Sequence, residues 1–188
     1  MMEFEDSARL IMPEREYQRI ESLVVEMYRD LDIRDVNFDV FNVARRIGCE
    51  LIPFSHMQAS KRNWLTEEGY DAVNYFDKRQ SCYFVYYDDS KSYVRQRFSI
   101  MHEVGHIILG HKQESPLARI QANYFAGYAL APNPLIHTYG IDNFVDLSNT
   151  FNISEECAMR CIARYNNWVQ YGKPDYLPYE INLLELFA

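Results

Sequence analysis

His102 and His106 stand four residues apart in the run His102-Glu103-Val104-Gly105-His106. On a helix that spacing sets two side chains about 40° apart around the axis and about 6 Å along it, so both imidazoles reach the same point. Two imidazoles so placed suit one tetrahedral Zn2+ and leave its other positions open. Glu103 is rotated by roughly 100° from His102, which sets its carboxylate beside such an ion instead of onto it. From there it can take a proton from an activated water and hand it to a leaving amine. Two core histidines hydrogen-bonded to backbone would leave the same letters, so the surrounding elements decide how much the run weighs.

Those elements favour chemistry. The spacing predicts a helix from Lys91 to Leu109, with Val94, Phe98, Met101, Gly105 and Ile108 as one stripe and Ile100, Val104 and Ile107 beside it. Asp88-Asp89-Ser90 suits its cap, Gly110 its stop, and Gly105 lets another backbone or a substrate approach. His111 follows His106 by five residues, beyond that glycine, whereas the extended motif with a third histidine needs six. A glutamate from the next helix is the other common third ligand.

Around this helix, Pro13 to Leu31 reads as a first helix, Phe38 to Ile47 as a short second one, and Cys49 to Phe54 as a strand. Ala72 to Phe76 and Cys82 to Tyr87 read as a hairpin. A helix from Pro116 to Leu130 breaks at Pro132 and Pro134, and the chain is then helical through Trp168, with Ser154 as an N-cap. These elements make an α+β fold of one domain over 1–188. It divides into a helix (1–35), a sheet with the active-site helices (36–132), a helical part (133–171) and a tail packing back (172–188).

With 188 residues, 48% hydrophobic and 24% charged, the chain suits a globular domain. A net charge of −8 argues against a phosphate-binding surface. Phe144 to Trp168 has the cadence of a helix-turn-helix, but its second helix offers only Arg160 and Arg164 against Glu155 and Glu156, so nucleic acid is not the expected partner. The acidic start Met-Met-Glu-Phe-Glu-Asp has no export signal, no window suits a membrane span, and Cys49, Cys82, Cys157 and Cys161 form no CxxC pair. A cytoplasmic protein with reduced, packed thiols is expected. His56 and His137 have no partner pattern.

The residues from Phe38 to Tyr165 resemble the ImmA/IrrE family of metallopeptidases. The resemblance rests on Phe41 to Gly48, on Arg97 to His111, and on Ala122-Asn123-Tyr124-Phe125-Ala126 followed by Leu130-Ala131-Pro132. It implies a zincin-like fold, with a small antiparallel or mixed sheet, an active-site helix and a second helix behind it. It further implies Zn2+ held by His102 and His106, Glu103 as catalytic base, and Asn123 orienting a ligand histidine. Members of the family are often encoded with mobile elements, and several cleave a repressor-type regulator. Zincin folds hold such substrates as an extended strand along a sheet edge.

The family's third ligand is a glutamate shortly before that asparagine, in a pattern like E-x-E-A-N-x-F-A. Here the two glutamate positions read Arg119 and Gln121. Three outcomes follow: Glu114 serves as the third metal ligand, the metal is held weakly by two histidines, water and a neutral group, or a degenerate site keeps the fold for protein binding alone. Arg119 would oppose a cation and should point away. The expected function is thus a zinc endopeptidase acting on a partner protein, with a non-catalytic binding module as the alternative.

Overall fold

The computed structural model describes residues 12–172 and 175–188. The acidic start of the chain and Pro174 lie outside them. Among the described residues the architecture is α+β, with helices packed around a three-stranded mixed sheet.

Helix α1 (Glu14–Asp30) follows Pro13 and buries Ile20, Val24, Met27 and Tyr28 at helical spacing. Helix α2 (Val40–Arg46) starts later than the spacing predicts, because the Asp39 carboxylate caps it by accepting from the Phe41 amide. Strand β1 (Cys49–Pro53) follows, and a 3-10 turn (Phe54–His56) leads into helix α3 (Ala59–Glu67). Its one buried residue is Leu65, so the sequence shows no apolar stripe there.

Strands β2 (Ala72–Asp77) and β3 (Cys82–Tyr87) form the expected hairpin. Asp77 organises its turn by accepting from the Arg79 and Gln80 amides. Strand β1 pairs with β3 in parallel, Leu51 opposite Val85, which gives the order β1-β3-β2 and leaves β2 at an edge. Val85, in the central strand, is fully buried.

Helix α4 (Tyr93–Ile108) carries the histidine run through the middle of the core, with Arg97, Ile100, Met101 and Val104 buried. Its cap differs from expectation. Asp88 turns back to accept from the Ser90 amide and hydroxyl, and Ser92 takes the N-cap position without a side-chain bond. A short acidic run prefers such a local turn when the helix begins a few residues further on.

Helix α5 (Pro116–Leu130) is capped by Ser115, which accepts from the Ala118 amide. Its small residues Ala118, Ala122, Ala126 and Ala129 let α4 and α1 approach closely, and the Tyr28 hydroxyl donates to the Ala129 carbonyl at 2.6 Å. The space above Gly105 is filled by the Phe125 side chain, which a Cβ at 105 would meet at 3.0 Å. The glycine therefore lets α5 approach α4 closely at this point.

Helices α6 (Asn133–Thr138), α7 (Phe144–Phe151) and α8 (Glu155–Tyr171) complete the helical part. Pro134 falls in the first turn of α6, where a missing amide hydrogen costs nothing. Ser154 caps α8 by accepting from the Cys157 amide, and Cys157 and Cys161 are buried in the core. Helix α9 (Pro178–Leu186) packs on α1, with Leu183 fully buried and the Tyr179 hydroxyl donating to Glu21 at 2.5 Å. Among the described residues no helix is long and apolar enough to cross a membrane.

Candidate metal centre

One turn of α4 brings His102 and His106 together, with their Nε2 atoms 3.0 Å apart. Two nitrogens bound tetrahedrally to one ion at ordinary Zn–N lengths lie roughly 3.3 Å apart, so the pair is close to the spacing a shared ion requires. Burial drives the His102 pKa down to about 3, with the neighbouring His106 acting in the same direction and the Asn123 side chain opposing. Burial also lowers the His106 pKa, against the pull of Glu114. Both shifts favour the neutral ring, which is the ligating form.

Glu103 meets the sheet through Asn74 and is only 6% exposed. Asn74 on β2 donates to its Oε2 at 2.6 Å. Burial pushes the carboxyl up to about 7; Asn74 pulls it back and Glu114 raises it further. A carboxylate balanced near neutrality accepts and returns protons readily.

Glu114 lies in the loop between α4 and α5. Its Oε2 is 3.9 Å from His106 Nε2, while its Oε1 accepts from Arg119 Nε at 3.0 Å. Arg119 thus engages the carboxylate rather than the histidines. Among the described residues no group of three or more His, Cys, Asp or Glu side chains is arranged to hold a metal ion. The donor set itself fits a divalent cation: two neutral imidazole nitrogens converge, a carboxylate stands near, and the buried Nδ1 of His102 has no hydrogen-bond partner among the described residues.

Sequence reasoning missed several residues behind the pair. Gly110, at φ +71°, ends α4 and folds the chain back, so that the His111 amide donates to the His106 carbonyl. The ring of His111 then lies against His106, Nδ1 to Nδ1 at 3.0 Å, and its Nε2 is 3.0 Å from Gln121 Oε1. Gln121 in turn donates to Glu16 on α1 at 2.6 Å. Counting along an ideal helix could not place His111 here, because the helix has ended. His137 instead meets the Tyr165 hydroxyl at 3.0 Å, far along the chain from the run.

No curated protein matches the sequence of this chain. Residues 60–161, which include β2, β3, α4 and α5, match the model of the IrrE N-terminal-like domain of the M78 peptidases. That family is metallopeptidase-like, and its members often act on or bind protein regulators. With more than half of its length matched and the paired histidines of α4 inside the matched stretch, the chain belongs to the M78, or ImmA/IrrE, family.

Proposed function

We propose that this chain is a zinc-dependent endopeptidase of the cytoplasm that cuts a partner protein, of the repressor type, in an extended segment. The observation that carries the reading is the convergence of His102 and His106 Nε2 with the buried Glu103 on the adjoining face of the same helix. His102 and His106 would hold the zinc, with Glu114 completing the protein ligands. Bound there, the ion supplies Lewis acidity for a scissile carbonyl and for a water molecule. Glu103 takes the proton of that water and returns it to the departing amine. Asn74 donates to Oε2 and so holds the carboxylate, whose Oε1 would serve the reacting groups. Strand β2 lies at the sheet edge beside Glu103, with Tyr75 and Phe76 exposed, and an extended peptide pairing there would pass the carboxylate.

One observation favours the second reading, a zincin-like fold kept as a protein-binding module. Glu114 is half-exposed and already shared with Arg119, so the third ligand is held less firmly than the two histidines. Metal analysis of the purified chain separates the two. Stoichiometric zinc that is lost in His102→Ala supports the peptidase; protein that stays without metal after zinc is supplied supports the module.

A further inference from the structure

Behind His106, three residues from three segments form a line of hydrogen bonds whose direction is set from its far end. Glu16, a carboxylate, only accepts, so the Gln121 amide must turn its nitrogen towards it, and the 2.6 Å contact is Nε2 donating to Oε1. The Gln121 oxygen is thereby left facing His111 Nε2 at 3.0 Å, and that contact needs a hydrogen on Nε2. A neutral imidazole carries one N–H, so His111 Nδ1 accepts. Its neighbour at 3.0 Å, His106 Nδ1, must then be the donor. The outcome is a His106 ring protonated on Nδ1, with its Nε2 lone pair directed at His102.

We propose that Glu16, Gln121 and His111 are positioning residues that fix the tautomer and ring orientation of His106, and so its readiness to bind metal through Nε2. The inference rests on reading His106 as a metal ligand. It also gives Gln121 a reason to be an amide. A carboxylate at 121 would accept from His111 but could not donate to Glu16, and the two like charges would face each other across the contact. Glu16 stands on the first helix, outside the residues that match the family model. Arg19 holds Glu16 in place through two of its guanidinium nitrogens.

The test is nitrogen NMR of histidine-labelled, metal-free full chain at about pH 8, where imidazoles are neutral. His106 is expected as the Nδ1–H form and His111 as the Nε2–H form. In Glu16→Gln the Gln121 amide is released to turn over, and in Gln121→Leu His111 loses its acceptor. Both variants should give mixed His106 tautomers and bind zinc about 10-fold or more weaker in chelator competition, the range seen for outer partners of ligand histidines. A wild-type His106 protonated on Nε2 overturns the proposal, as do variants whose tautomers and zinc affinity match the wild type. If Gln121→Leu does not fold, Glu16→Gln and the wild-type spectrum still decide. A wild-type chain that takes up no zinc would sink the peptidase reading, while the metal-free spectrum would still judge the relay.

Discussion

Asn74 on β2 and Glu103 on α4 are joined by a 2.6 Å hydrogen bond, which ties the edge strand of the sheet to the buried carboxyl group. The bond favours the ionised form and offsets part of the cost of burial. Replacing Asn74 with leucine removes that support. In the metal-free protein the Glu103 pKa should rise above its value of about 7, read by carbon NMR of the carboxyl group.

Glu103 itself should limit stability. Its folded pKa of about 7 lies above the ordinary 4.5, so the stabilising effect of the protonated form is complete below about pH 4.5 and lost as pH rises through 7. Glu103→Gln should therefore leave the metal-free melting temperature nearly unchanged at acid pH. Above neutrality it should add stability, roughly 3 kcal/mol for a shift of that size. The same variant should be inactive. Thermal melts at both pH values check the sign.

Glu114 is shared between His106 and Arg119, so two substitutions should act in opposite directions. Glu114→Gln should weaken zinc binding about 10-fold or more. Arg119→Ala releases the carboxylate and removes a positive charge, so zinc should bind more tightly. Isothermal titration of both variants checks this; if neither moves the affinity, Glu114 is not a ligand.

Gly105→Ala should be costly because the new methyl meets Phe125 Cδ1 at 3.0 Å and Cβ and Cγ at 3.1 Å. Overpacking of that kind costs about 1–3 kcal/mol. Phe125→Leu in the same chain should recover part of the loss, and a double-mutant cycle in urea measures the coupling.

Tyr179→Phe should loosen α9. Glu21 is 7% exposed and accepts from both Tyr124 and Tyr179, and burial raises its pKa. Losing one bond to a charged acceptor costs about 1.5–3 kcal/mol. The loss should be greater above neutrality than in acid, where Glu21 is protonated with or without its partner. Urea titrations at two pH values give the comparison.

Much of this arrangement is written locally. The apolar stripes of α1 and α4, the Ser115-Pro116 start of α5 and the Ser154 cap can each be read within one helical turn. The parallel pairing of β1 with β3 cannot, since its partners are more than thirty residues apart and nothing in either strand names the other. Helix α3 escaped because it buries only Leu65 and so shows no periodicity. In the candidate centre, the pairing of His102 with His106 and the place of Glu103 beside them follow from helix geometry alone. Asn74, His111 and Gln121 do not, because each acts across a chain reversal or between elements.

The bond between Gln121 and Glu16 joins positions 105 residues apart. Neither can drift alone. An acidic side chain at 121 would face the carboxylate of residue 16, and a trimmed first helix would strand the amide without this acceptor. Among relatives, the identities at these two sites should travel as a pair.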